Sequence, residues 1–252
     1  MRKKGLALIK QAVQKFVSAF GYTLVPLDSL KPTGRLLHFF PLLKSFGFAP
    51  KHIWDVGANR GEWTRVATRY FSDAEYTLLE PQDRFKNNIQ DLINGGKKIR
   101  WINAGAGAQS GVLPFYVVPG DQGSTFLGLP RVTEEAVQCI NVPLRTLNEV
   151  RTSLSLPIPE MLKIDAEGLD LKVLEGASDF LGTTEVIFAE ASIAQLDFEN
   201  TAAALIQAMD GYGYRLIEIT DLNRSPAHGV LWLCEFAFLR KASRLMERAS
   251  RY

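Results

Sequence analysis

Ile53-Trp54-Asp55-Val56-Gly57-Ala58-Asn59-Arg60-Gly61-Glu62-Trp63-Thr64 reads as a short apolar strand that runs into a glycine-bearing turn and opens a helix. Asp55 stands at the strand's end. In an open α/β sheet, ligands bind in the crevice beyond the carboxyl ends of the strands. Gly57 and Gly61 let the backbone approach a ligand or the next helix with no Cβ between. A carboxylate beside exposed helix N–H groups suits a ligand that carries both a positive amine or sulfonium and a carboxylate. The turn therefore points to a nucleotide-type cofactor.

The spacing narrows which one. A nicotinamide turn, G-x-G-x-x-G, needs glycines at 59 and 62 counting from Gly57, and the chain has Asn59 and Glu62. A carboxylate at 62, in the first helical turn, repels a pyrophosphate. The phosphate-loop pattern fails as well, one residue short and with Glu62 in place of its lysine. A cofactor without phosphates, such as S-adenosylmethionine, fits. Its ribose calls for an acid about 20 residues on, at the end of the next strand. Tyr76-Thr77-Leu78-Leu79-Glu80-Pro81 supplies Glu80 there, and Pro81 ends the run.

Outward from this turn the chain alternates strand and helix: strands at 52–56, 75–80 and 98–103, helices at 61–71 and 82–94. Such alternation predicts parallel strands with right-handed crossovers. The rhythm breaks at 107–143, read as an antiparallel insertion with strands near 111–119 and 136–142 and a loop at Gly120–Ser124. It resumes after a helix at 145–153 with strands at 161–165 and 184–190, helices at 169–178 and 199–210, then strands at 214–219 and 230–239. The last two have no helix between them, which predicts an antiparallel final pair.

At 252 residues, 46% apolar and 22% charged, the chain suits one soluble α/β domain with decorations. Its units read as a basic helical extension over 1–50, a catalytic domain over 51–240 and a basic helix over 241–252. Cys139 and Cys234 lie far apart in apolar runs, too few for a disulfide framework or zinc site, and predict buried, reduced thiols in a cytoplasmic protein. No apolar run is long enough to span a bilayer, and the run after Arg2-Lys3-Lys4 is broken by Lys10 and Lys15, unlike a secretory signal. The net charge of +2 hides an asymmetry: residues 1–51 carry +8, residues 240–252 carry +4, and the body between carries −10. Leu6, Ile9, Val13, Phe16, Val17 and Phe20 recur at helical spacing. That stripe has two readings, packing onto the domain or peripheral contact with a membrane surface or polyanion. No aromatic-basic patch of the kind that stacks single-stranded bases is evident, so a nucleic-acid partner is not expected.

A second strand ends in acids and a glycine: Met161-Leu162-Lys163-Ile164-Asp165-Ala166-Glu167-Gly168. If it adjoins the first strand, Asp165 and Glu167 face the cofactor crevice, and Phe188-Ala189-Glu190 adds a third acid. The loop at 220–229 should emerge on the same side, which makes His228 the one histidine expected near the chemistry. Transfer of a methyl group to a hydroxyl is an in-line displacement that needs alignment and a proton acceptor. The candidate bases are Asp165, Glu167, Glu190 and His228. Asp165 also suits a helix N-cap. The three acids could be oxygen ligands for Mg²⁺, but their spacing does not enforce a metal site, and none is predicted.

Asp55-Val56-Gly57-Ala58-Asn59, Leu79-Glu80-Pro81, Leu144-Arg145-Thr146-Leu147-Asn148 and, most particularly, Lys163–Gly168 followed by Leu174-Glu175-Gly176-Ala177 resemble the FkbM-type S-adenosylmethionine-dependent methyltransferases in sequence and in order. The resemblance covers about residues 50–240 and implies a Rossmann-like, seven-stranded methyltransferase sheet. It implies O-methylation of a hydroxyl on a sugar, polysaccharide or polyketide, a small-molecule or glycan acceptor. It also implies that Asp55, Gly57, Ala58, Asn59 and Gly61, with Trp63 and Thr64 beyond them, line the methionine end of the cofactor. Glu80 and Pro81 would hold the ribose, Asn103 and Ala104 would lie by the adenine, and Asp165 would touch the cofactor. Leu169-Asp170 departs from the family pattern, and residues 1–50 lie outside it. A contrasting reading is a catalytically silent cofactor-binding scaffold targeted by its basic ends.

Overall fold

The structure, a computed structural model, describes residues 13, 15–19, 35–117, 138–194, 198–225 and 227–251. The apolar runs form one seven-stranded sheet: β1 (His52–Val56), β2 (Glu75–Leu79), β3 (Ile99–Ile102), β7 (Met161–Ile164), β8 (Val186–Ser192), β9 (Tyr214–Arg224) and β10 (Leu231–Arg240). Their spatial order is β3-β2-β1-β7-β8-β10-β9. Neighbours from β3 to β8 pair in parallel, and β10 runs antiparallel between β8 and β9. The expected α/β class and antiparallel final pair are both present. Central strands are buried on both faces, which is why they read as unbroken apolar runs.

Helices cover each face. On one side α1 (Leu36–Ser45) and α2 (Glu62–Tyr70) pack Phe39, Phe40 and Trp63 against Phe188, with ring centroids 5.4–6.0 Å apart. On the other, α4 (Leu147–Ser153), α5 (Asp170–Glu175) and α6 (Ala202–Gly211) cover Trp54, Leu162, Ile164 and Ile187. Alternation along each strand decides the face: Ile53 and Met161 look to the α1–α2 side, Trp54 and Leu162 to the other.

Two glycines of the quoted blocks, Gly57 and Gly176, allow close backbone approach. Gly57 sits at φ +73°, and a Cβ there would lie 1.8 Å from the Asp165 carbonyl oxygen. Gly176 lets α5 approach the insertion, since its Cβ would lie 2.1 Å from the Gly107 carbonyl oxygen.

Several expectations need correction. The boundary at residue 51 does not divide the packing, because Leu36, Phe39, Phe40, Leu43 and Phe48 belong to the domain's own core. The C-terminal helix α7 (Arg244–Ala249) buries Leu245 and donates from Arg248 to the Phe46 carbonyl, so the two ends meet. The helix expected over 82–94 is a 3₁₀ turn at Asp83–Ile89 followed by α3 (Gln90–Asn94). The insertion holds β5 (Gly111–Val117) antiparallel to β6 (Gln138–Arg145), but β6 also pairs in parallel with β4 (Gly105–Ala106). The loop placed at Gly120–Ser124 lies outside the described residues. β9 runs on to Arg224, so much of the expected 220–229 loop is strand. Cys234 is buried, whereas Cys139 is exposed, because its strand pairs at the surface. In the leading helix Val13 is 43% and Phe16 68% exposed. Among the described residues, no helix is long and apolar enough to cross a membrane.

Candidate functional site

The strand order reverses between β1 and β7, the point where ligands settle in open α/β sheets. A cleft opens there, between the turns that follow β1 and β7. Val56, Gly57, Asn59, Glu80, Pro81 and Gln82 form one wall. Ala104, Gly105, Ala106 and Phe115 form a mostly apolar second wall, and Asp165, Ala166 and Glu167 close the end.

Glu80 is only 4% exposed. Its Oε2 accepts from the Asn59 N–H at 2.8 Å and its Oε1 from the Gln82 N–H at 2.9 Å. Burial pushes its carboxyl up to about 7, against the two N–H groups that pull it down. Asn59 stands at φ +46°, a left-handed conformation that asparagine tolerates, which aims its N–H at Glu80. Asn103 donates from its side-chain amide to the carbonyls of Glu80 and Pro81, so it holds the acid's strand end in place.

Beneath the cleft lies a buried ion cluster. Lys163, 4% exposed, donates from Nζ to the Gly57 carbonyl at 3.0 Å and to Asp165 Oδ2 at 3.1 Å. The same nitrogen lies 3.4 Å from Asp55 Oδ1. Thr64 donates to Asp55 Oδ2 at 2.5 Å. Burial lowers the lysine's proton affinity, but Asp165, Asp55 and Glu235 outweigh it and hold the ammonium above its usual range. Asp55 has no exposure, so it underlies the cleft one layer below the position expected for it. Thr64 stays with Asp55, Gly61 caps α2 at φ +76°, and Trp63 packs into the core, so these three do not wall the cleft. Ala58 is buried in the turn, donating its N–H to the Leu79 carbonyl.

The acids continue along the carboxyl edge. Asp165 does not cap α5, whose N-cap is Leu169. Glu167 adopts φ +50°, a conformation costing of order 1–3 kcal/mol and concentrated at functional sites. Glu190 is half-buried within β8, which runs on to Ser192; burial raises its carboxyl well above the usual range, reinforced by Asp165, Glu167, Asp170 and Glu235. Asp170 accepts from the Glu190 backbone N–H at 3.0 Å and is pushed up to about 7, first by burial and then by Asp165. Glu235 accepts from the Thr220 hydroxyl at 2.5 Å and is likewise raised by burial to about 7. His228 stands exposed at the β9–β10 tip, bonded to Ser225 and to the Val230 N–H, away from the cleft wall. Among the described residues, no group of three His, Cys, Asp or Glu is placed to hold a metal ion.

Sequence reasoning missed Lys163, Gln82 and Phe115. Lys163 did carry a signal: a lysine flanked by Leu162 and Ile164 in a strand buried on both faces needs an anionic partner. Phe115 carried none, since nothing local ties β5 to the cleft.

A seven-stranded sheet with one inserted antiparallel strand, and a phosphate-free glycine turn facing an acid on β2, define the class of Rossmann-like methyltransferases. A family model described as the methyltransferase FkbM domain matches residues 55–216, and the chain belongs to that family. S-adenosylmethionine is the cofactor of this class. Among solved structures, the FkbM methyltransferase of Methylobacillus flagellatus KT is 15% identical over 75% of this chain with a TM-score of 0.47, and the chain spans 43% of that protein. Precorrin-6y C5,15-methyltransferase of Geobacter metallireducens GS-15 is 12% identical, TM-score 0.45, with 82% and 86% of the two chains covered. The 1,6-didemethyltoxoflavin-N1-methyltransferase of Burkholderia thailandensis, solved with S-adenosylhomocysteine, is 10% identical, TM-score 0.43, with 94% and 89% covered. No curated protein matches the chain.

The residues present fit this cofactor. Glu80, a buried acid held by two backbone N–H groups, lines the cleft beside the Gly57–Asn59 turn, which is the chemistry that accepts paired hydroxyls.

Proposed function

We propose that the protein is an S-adenosylmethionine-dependent O-methyltransferase that acts on a hydroxyl of a sugar, polysaccharide or related small molecule. One observation carries the reading: a single cleft has a ribose-type acid, Glu80, on one wall and the carboxylates of Asp165 and Glu167 at its end. When bound, the cofactor supplies a methyl group on a sulfonium and is left as a neutral thioether.

The chain's own residues do the rest. Glu80 would accept the ribose hydroxyls, and the Gly57–Asn59 backbone would approach the methionine end. Ala104, Ala106 and Phe115 give an apolar wall suited to a flat base. Asp165 or Glu167 would take the acceptor's proton, a step worth about 10² to 10⁴ in rate. Glu190, whose proton affinity burial raises well above the usual range, stands next in order. The carbohydrate class rests on the sequence resemblance; the carboxylate-rich cleft end supports it, since acids bind and deprotonate hydroxyls.

The test has two arms. Calorimetry with S-adenosylhomocysteine should show binding to the folded protein, and binding of NADH instead would overturn the class. Methyl transfer from labelled cofactor across mono- and oligosaccharides should give labelled methyl ether. Labelling of amine acceptors alone would overturn the hydroxyl assignment.

A further inference from the structure

Methyl transfer turns a cationic cofactor into a neutral product, so the charge beneath the cleft decides how strongly each is held. We propose that Lys163 is a specificity-determining residue: it sets that charge, and with it the preference for S-adenosylmethionine over S-adenosylhomocysteine. This rests on the cofactor reading above.

The geometry carries the argument. Lys163 Nζ reaches both walls of the reversal point, the Gly57 carbonyl on β1's turn at 3.0 Å and Asp165 Oδ2 on β7's turn at 3.1 Å, and Asp55 Oδ1 lies 3.4 Å away. Gly57 and Asp165 both line the cleft. Lys163 is 4% exposed and Asp55 has no exposure, so water screens these charges poorly. Without the lysine, Asp55 beneath the cleft and Asp165 and Glu167 at its end would be uncompensated negative charges. They would hold the cationic ground state tightly, while the transition state, in which that charge is vanishing, would gain less. An ammonium within this group of acids lowers that penalty. A tie between two turns needs only a hydrogen-bond donor; this position holds a full charge balanced against an acid with no access to solvent.

The reasoning predicts changes of opposite sign. At an effective dielectric near 20, a unit charge about 10 Å away changes affinity for a cation roughly tenfold. The readout is the ratio of dissociation constants for the two ligands, measured by calorimetry without any acceptor. Lys163→Met should raise the preference for S-adenosylmethionine by about tenfold. Asp55→Asn should lower it by a similar factor, and the double variant should return near the wild-type ratio. Should Lys163→Met fail to fold, Asp55→Asn and the charge-balanced double variant still test the sign and its cancellation. A purely structural Lys163 would weaken both ligands equally and leave the ratio fixed within twofold in every folded variant. That result overturns the inference alone. A wild-type protein that binds neither ligand overturns the proposed function instead.

Discussion

Glu80 gives the sharpest test of the cofactor end, because its environment fixes both a magnitude and a sign. Burial raises its carboxyl to about 7 despite the N–H groups of Gln82 and Asn59. Only the ionised form keeps acceptor capacity for ribose hydroxyls on both oxygens. Cofactor affinity should therefore rise about tenfold per pH unit below 7 and level off above it, for a gain of roughly tenfold between pH 6 and pH 8. Glu80→Gln removes the charge and turns an amide N–H₂ toward one of the two donors. Hydrogen bonds to a charged group contribute about 1.5–3 kcal/mol, so the variant should bind S-adenosylhomocysteine roughly 10- to 150-fold more weakly at pH 8. Its affinity should also be flat across pH 6–8. Stability should move the other way. A carboxyl whose folded pKa is raised weakens the fold as pH climbs from about 4.5 to 7, by up to about 3 kcal/mol here, and Glu80→Gln lacks that loss. Calorimetric titration at four pH values, with thermal melts alongside, reads both effects. Equal affinity and equal slope in the two proteins would refute the ribose assignment.

Gly57→Ala should cost more than about 3 kcal/mol: the left-handed φ alone costs about 1–2, and the Cβ at 1.8 Å from the Asp165 carbonyl forces the β1 and β7 turns apart. A urea midpoint equal to wild type would contradict that close approach. Asp165→Ala should lower methyl transfer by about 10² to 10⁴ while shifting the thermal midpoint by only a few degrees, and unaltered turnover would remove Asp165 as the base. Deletion of residues 1–22 should abolish co-sedimentation with anionic liposomes, and equal binding by the truncated protein would sink the membrane reading of the +8 segment.

The sheet was legible because its strands are buried on both faces, so β1 was read at 52–56, as it is observed. The antiparallel last pair was legible from a missing crossover. Asp55 was placed at the right strand end but in the wrong layer. Its parity with Ile53 aims it at the α1–α2 side, where Thr64 and Lys163 meet it, and parity of opposite charges on two strands was the signal available. His228 was misjudged because β9 outruns its apolar segment by five residues, from Ile219 to Arg224, and carries the tip beyond the cleft. Cys139 was misjudged because an apolar neighbourhood in sequence does not say whether a strand lies in the main sheet or in the small surface sheet.

Register explains why the acids recur. Asp55 lies opposite Lys163, Glu190 opposite Glu235, and Glu235 opposite Asp221, so five strands lay charged side chains on one face just beyond the apolar core. The result sets the fold and the ligand against each other. Glu80, Asp170 and Glu235 are each raised to about 7, so the folded chain holds protons that the unfolded chain has lost, and stability falls as pH rises from about 4.5 toward 7. Over the same window Glu80 gains the charge that binds ribose. Cofactor should therefore stabilise the protein most where the bare fold is weakest. With ligand in excess, a tenfold tighter dissociation constant adds about 1.4 kcal/mol, or roughly 3–6 °C for a chain of this size. The thermal shift produced by saturating S-adenosylhomocysteine should be larger at pH 8 than at pH 6 by that amount in wild type, and equal at both in Glu80→Gln. A shift that shrinks with pH in wild type would mean that the ligand prefers the protonated carboxyl, and the role assigned to Glu80 would reverse.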